Sequence, residues 1–309
     1  PYRLTPLSPF GAVVSGVDLS LECDSSLKQS IISDLARWRL LIFKGQQLEG
    51  SRQLELTRWF GTVDKTFKSH VKSPDPMVFR VSNDEEEGVT MVGTTGWHID
   101  GSWSPAPHSV MLLHFLEAVK GGNTLFSPLH ELVETLPEAT RREWDRLYFV
   151  SGGVSTFKGA HPLIYPHPLT GKSTLCFHCG ECFVDTFLRD YDPVTESASY
   201  CYTKKETKAL LEELTQRLED PSRMVEVEWD QGDLAMVDNL AVAHYPTPGT
   251  QAPRREVGLR LMHRTTAAGT PPNKKWKEKR ETNHHGSALW SWFVVVVMVV
   301  ALFIQFRSF

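Results

Sequence analysis

Apolar positions recur along this chain at two spacings, and the change between them separates helices from strands. Leu27, Ile31, Ile32 and Leu35 recur every three or four residues behind Asp24-Ser25-Ser26, which predicts a capped helix. Leu40-Leu41-Ile42-Phe43 is apolar throughout and ends at Gly45, the mark of a buried strand. A second helix is predicted over residues 51–60, stopped by Gly61. Residues 110–115 and 147–150 read as strands, and residues 207–218 as an amphipathic helix. The clearest β signal is late. Met224-Val225-Glu226-Val227-Glu228-Trp229 alternates, Gln231-Gly232-Asp233 can turn, and residues 234–237 are apolar again. Pro246 and Pro248 interrupt before an apolar stretch over residues 259–262. Short strands at both ends, with helices early or at one insertion, predict a mainly β fold with flanking helices. The expected form is a double-sheet jelly roll, or double-stranded β-helix, over residues 1–270.

The end of the chain follows a different pattern. Residues 288–306 carry no charge and hold only Ser291 and Gln305 as polar residues, close to the ~20 residues a membrane-crossing helix needs. Val294 to Val297 favour a strand, but strands seldom exceed ~10 residues and a lone strand leaves its backbone unpaired in lipid. Trp290 and Trp292 stand at one end as interfacial aromatics do. Lys274-Lys275-Trp276-Lys277-Glu278-Lys279-Arg280 precedes the run, and only Arg307 follows it. The expectation is a basic linker over 271–287 and a single C-terminal transmembrane anchor over 288–306, with the body on the cytosolic side of an unspecified membrane.

Composition changes this picture little. The 309 residues are 41% hydrophobic and 23% charged, as in a globular protein, and the formal net charge of −4 offers no basic field for nucleic acid. Five cysteines, an odd and sparse set, do not form a disulfide framework and point to a reducing compartment. Cys176-Phe177-His178-Cys179-Gly180-Glu181-Cys182 has ligand-like spacing, but no second pair follows it. No GxSxG elbow, phosphate loop or dinucleotide fingerprint is present, so those enzyme classes drop out.

The chemistry gathers elsewhere. In His98-Ile99-Asp100, residues two apart on a strand would turn an imidazole and a carboxylate to one side. Taken singly, the pair is a weak signal. With His244, at the end of a predicted strand pair, it makes two imidazoles and one carboxylate, the facial set of non-haem Fe(II) oxygenases, which leaves positions open for a bidentate 2-oxo acid and O₂. A second carboxylate on such a cosubstrate needs a buried cation. Arg260, between apolar neighbours in Gly258-Leu259-Arg260-Leu261-Met262, is costly unless it meets an anion.

Over residues 5–268 the chain resembles the taurine dioxygenase (TauD/TfdA) family of Fe(II)/2-oxoglutarate-dependent oxygenases. The resemblance runs in the family's order. It begins with Leu41-Ile42-Phe43-Lys44-Gly45-Gln46 and continues through Trp97-His98-Ile99-Asp100-Gly101-Ser102 to Gly121-Gly122-Asn123-Thr124-Leu125-Phe126. His161-Pro162-Leu163 and His167-Pro168-Leu169-Thr170-Gly171 follow. Last come Trp229-Asp230-Gln231-Gly232-Asp233, Asp238-Asn239 with His244, and Arg260-Leu261-Met262-His263-Arg264. The resemblance implies His98, Asp100 and His244 as catalytic iron ligands. It implies Arg260, helped by Thr124, as the holder of the distal carboxylate of 2-oxoglutarate. Arg264 matches a second family arginine that faces the substrate in sulfonate-oxidising members, or it supports Arg260. Thr94, in Thr94-Thr95-Gly96, stands near where those members carry an asparagine; this change, and the longer loop over residues 246–255, put taurine itself in doubt.

The implied reaction is hydroxylation or oxidative cleavage of a small organic substrate, anionic or lipophilic, with release of succinate and CO₂. A desaturase on the same iron centre and a catalytically silent tail-anchored binding module are the alternatives. The expected partners are the small substrate and a membrane, not nucleic acid, with room for a homo-oligomer.

Overall fold

The computed structural model describes residues 2–66, 68–93, 95–153 and 159–273. Residues Pro1–Pro272 form one compact unit, and of the second, Asn273–Phe309, only Asn273 is described. The basic linker and the apolar run at 288–306 therefore lie outside the described residues. Among the described residues no helix is long and apolar enough to cross a membrane.

The architecture is mainly β with flanking helices. A seven-stranded sheet runs in the order Arg3–Pro6, Ala12–Ser15, Leu40–Phe43, Leu234–Asp238, Val110–Glu117, Leu261–Ala267, Phe79–Ser82, antiparallel except where Ala12–Ser15 meets Leu40–Phe43. A three-stranded sheet is ordered Val225–Val227, Thr124–Pro128, Val242–Pro246. Parity explains the apolar runs. Leu40 and Ile42 join one core with Met111, Leu113, Phe115 and the inward residues of the small sheet, whereas Leu41 and Phe43 join another under helix Ser25–Trp38. Ala235 and Val237 divide from Leu234 and Met236 in the same way. Strands covered on both faces have no polar alternate, so their sequence is a continuous apolar run. A third core, with Trp144, Phe149, Phe187 and Leu214, lies among helices Glu138–Asp145 and Lys204–Leu218 and a four-stranded sheet; it also takes in Trp97, Ile99 and Ala243, the neighbours of the candidate ligands.

The predicted helix behind Asp24 forms as Ser25–Trp38, with the Asp24 carboxylate accepting from the Leu27 N–H. Three boundaries move, each for a local reason. The second helix, Gly50–Thr57, stops short of residue 60 because Trp59 and Phe60 donate to carbonyls only three residues back, so its end tightens into turns. The amphipathic helix starts three residues earlier, at Lys204, because Thr203 and Glu206 form a reciprocal capping box. The last strand is Leu261–Ala267, not 259–262. Arg260 donates its backbone N–H to Asn83 Oδ1 and its carbonyl accepts from the Ser82 hydroxyl, off the ladder, and pairing then runs on to Ala267.

Candidate metal centre

The donor atoms of His98, Asp100 and His244 lie within 4.8 Å of one another, and all three residues are buried. His244 sits on Val242–Pro246, with Phe126 opposite it on the neighbouring strand. Counting by twos puts Val242 and His244 on the face where Phe126 and Thr124 also point, toward the interior between the two sheets. His98 is not on a regular strand, as its spacing predicted, but forms isolated antiparallel bridges to His244 on one side and His178 on the other. Asp100 opens a turn. There Gly101 takes φ +78°, and a Cβ would stand 2.9 Å from the His108 nitrogen, so glycine meets both conformation and space.

Two of the three donors, His98 and Asp100, are oriented by a hydrogen-bonding partner, whereas His244 Nδ1 has none among the described residues. His98 Nδ1 lies 2.7 Å from the Gly96 carbonyl, so Nδ1 carries the proton and Nε2 keeps a lone pair, 3.8 Å from Asp100 Oδ1. The other oxygen of Asp100, Oδ2, accepts from Arg264 at 2.8 Å. Asn239 clamps the backbone of the same residue, accepting from the Asp100 N–H at 2.8 Å and donating to its carbonyl at 2.9 Å. Asp238, beside it, faces His167 Nε2 at 3.1 Å, while His167 Nδ1 accepts from the N–H groups of Leu169 and Thr170. The His-Pro-Leu-Thr-Gly segment is thus a turn that braces the Asp238-Asn239 corner.

Electrostatics favour a cation here. Burial pushes the His244 imidazole down to about 3, with His98 adding repulsion, and burial lowers His98 as well. Both rings are neutral and able to donate lone pairs at neutral pH. Burial, the largest influence, works to raise Asp100, but the Arg264 guanidinium, together with the neighbouring imidazoles once they protonate at low pH, more than offsets it, so the carboxyl is held below its usual range and ionised. Two neutral imidazoles and one carboxylate suit a ferrous ion.

Two cavities adjoin the triad. The inner one, about 40 Å³, is lined by His98, Thr124, His244, Arg260, Met262 and Arg264. Arg260 is 4% exposed, and burial alone lowers its guanidinium to about 10. It stacks on Phe115 at 5.4 Å, its Nε has no hydrogen-bond partner, and no described carboxylate pairs with it. A buried guanidinium without an anion fits a carboxylate that comes from outside the chain. The outer cavity, about 190 Å³, has walls from Met91, Val92, Trp103, His178, Phe183 and Arg264.

The fold thus brings together His98, Asp100, His244, Thr124, Arg260 and Arg264. Arg264 is engaged with Asp100 rather than with Arg260. Thr94 lies outside the described residues. His178 escaped the sequence reading, hidden in the cysteine-spaced segment. Its ring stacks between His98 (4.6 Å) and Phe183 (4.0 Å), and its Nδ1 accepts from the Gly180 N–H, which leaves the proton on Nε2. The only trace of it was a histidine inside an apolar stretch. The cysteines near it are free: Cys176 is buried, and burial raises the Cys179 thiol to about 12.

The sequence model described as "Taurine catabolism dioxygenase TauD, TfdA family" matches residues 3–266. An alkylsulfatase of Acinetobacter baylyi is 26% identical over 76% of this chain and 76% of its own. A protein of Sphingobium herbicidovorans named (S)-phenoxypropionate/alpha-ketoglutarate-dioxygenase is 25% identical over 88% of this chain and 97% of its own. A crystal structure of a taurine dioxygenase from Burkholderia xenovorans superposes with a TM-score of 0.71 at 28% identity, covering 88% of this chain and 93% of that one.

Proposed function

The chain belongs to the taurine catabolism dioxygenase TauD, TfdA family, and from that premise we propose which of its residues carry the reaction, and on what kind of substrate. The protein is an Fe(II)- and 2-oxoglutarate-dependent dioxygenase acting on a small organic molecule. We assign His98, Asp100 and His244 as the iron ligands, Arg260 and Thr124 as the holders of the distal carboxylate, and the two facing sheets as the family's double-stranded β-helix. When bound, the iron brings 2-oxoglutarate and O₂ together and couples oxidative decarboxylation, to succinate and CO₂, to oxidation of the substrate. The chain's own work is positional. Arg264 occupies one oxygen of Asp100 and leaves the other for the metal. Gly96 fixes the His98 tautomer, and the apolar walls exclude water.

The observation that carries this reading is the pairing of a buried two-histidine, one-carboxylate set with an adjoining cavity whose buried arginine lacks an anion. Anaerobic titration with Fe(II) and then 2-oxoglutarate is expected to raise a visible charge-transfer band, absent in His244→Ala. Wild-type protein that shows no such band would sink the assignment.

For the substrate, we infer a molecule with an apolar body and an anionic group. Met91, Val92, Trp103 and Phe183 line the outer cavity, Lys68 and Arg264 are its cations, and the names of two relatives, an alkylsulfatase and a phenoxypropionate dioxygenase, fit that pairing. Succinate release with alkyl sulfates and aryloxy acids tests this, and product mass separates hydroxylation from desaturation. We also read residues 288–306 as a membrane anchor, on the strength of their uncharged composition alone. Full-length protein that leaves vesicles in alkaline carbonate as readily as a 1–273 truncation would remove that reading.

A further inference from the structure

We propose that Trp229 is a positioning residue for 2-oxoglutarate, acting through Thr124; this rests on the assignment of the inner cavity as the 2-oxoglutarate site. Trp229 Nε1 donates to Thr124 Oγ1 at 3.0 Å, and both residues are 3% exposed. An indole N–H can only donate, and a threonine hydroxyl has one hydrogen and two lone pairs. With a lone pair taken by Trp229, the Thr124 hydrogen is turned away from the indole, and no described acceptor takes it. Thr124 lines the inner cavity with Arg260. The hydroxyl is therefore held as a donor toward the space in which Arg260 offers its guanidinium, and two donors facing one small volume select a carboxylate.

The indole is itself fixed. Phe115 stacks on it at 4.2 Å and 16°, and Phe126 meets it edge-on at 6.2 Å and 84°. The Phe115 ring also faces Arg260 at 5.4 Å, so one aromatic stack holds both carboxylate donors. Trp229 is not among the residues lining the cavity. Its influence runs through the rotor of Thr124. Without the indole N–H the hydroxyl would turn freely, with its oxygen presented to the carboxylate in part of its rotamers, and an unpaired lone pair would remain buried.

The test is anaerobic titration of the Fe(II) protein with 2-oxoglutarate, read by the visible band, in wild type, Trp229→Phe, Thr124→Val, Thr124→Ser and the Trp229→Phe/Thr124→Val double variant. Trp229→Phe keeps the stack and is expected to weaken 2-oxoglutarate binding about fivefold, Thr124→Val about tenfold. Thr124→Ser should restore much of what Thr124→Val loses. The double variant should be no weaker than Thr124→Val, because the indole acts only through the hydroxyl. Iron content should hold in every variant, so that the losses report 2-oxoglutarate binding and not loss of the metal. Should Trp229→Phe fail to fold, benzothienylalanine at position 229 keeps the ring shape without the N–H. Wild-type affinity in Trp229→Phe, or losses that multiply in the double variant, would overturn the proposal. Wild-type protein without any band would instead remove the 2-oxoglutarate site itself, and the proposal with it.

Discussion

Arg260 and Arg264 stand four residues apart, both buried, both against an aromatic ring, and they solve opposite problems. Arg264 lies 4.7 Å from the Phe79 ring and meets a carboxylate of its own chain, Asp100. Arg260 lies over Phe115 with its Nε unsatisfied and no described carboxylate beside it. Charge alone cannot tell structural from functional arginines. What separates these two is whether the fold supplies the anion. Where it does, the cation holds a buried carboxylate in its charged form; where it does not, the guanidinium lies desolvated with no anion from the described chain, which is the ground for proposing that one comes from outside.

Replacing each arginine in turn is the strongest test of that contrast. Arg264→Met leaves the Asp100 carboxyl buried without its cation, and should cost the metal-free protein roughly 3–5 kcal/mol in chemical denaturation, with part of the loss recovered on adding Fe(II). Arg260→Met removes a charge the fold never paired. Its melting temperature should stay level or rise, while 2-oxoglutarate affinity falls roughly 30- to 100-fold. Equal destabilisation by both substitutions would erase the distinction.

A smaller effect separates the two cavities. His178→Ala, on the outer wall, should raise the KM for the organic substrate about fivefold and leave that for 2-oxoglutarate within about twofold; a shift confined to 2-oxoglutarate would assign the ring to the wrong cavity.

The smallest effect is on pH. His98 and His244 have folded pKa values pushed below the unfolded value of about 6.5, and His263 falls to about 3, through burial first and then Arg80. The unfolded chain therefore binds more protons below pH 6.5, so stability is full above that value and declines as pH falls toward the folded values. The metal-free protein should melt a few degrees lower at pH 5 than at pH 7, and saturating Fe(II) at pH 7 should raise the plateau. A flat melting temperature across that range would mean these rings are not buried as neutral groups.

Much of the fold could be read in advance because burial on one face or two leaves a direct trace. The runs at 40–43 and 234–237 are apolar at every position since both sides of those strands are covered. The boundaries that moved were set by local hydrogen bonds. The Thr203–Glu206 box draws a helix start forward, and the Asn83 and Ser82 contacts with Arg260 delay a strand. The three candidate ligands stood out in the sequence because a histidine and an aspartate two apart, with a third donor and an arginine among apolar neighbours downstream, are costly together without a shared purpose, and the fold brings their donor atoms within 4.8 Å of one another. His178, Asn239 and Trp229 were not legible as contributors. Asn239 and Trp229 lay in motifs whose order was informative, but their tasks, clamping Asp100 and orienting Thr124, are defined by partners more than 100 residues away.

The amino-acid order by itself determined the inventory: which strands are buried on both faces, which donors are present, and that a cation sits in an apolar strand region. Tertiary structure alone decided the pairings, namely that Arg264 belongs to Asp100, that Arg260 belongs to no described group, and that an indole spends its single hydrogen on Thr124. The reason is geometric. Hydrophobic periodicity is a one-dimensional record of burial, whereas a hydrogen bond or ion pair depends on distance and direction between atoms that only the packed sheets bring within reach.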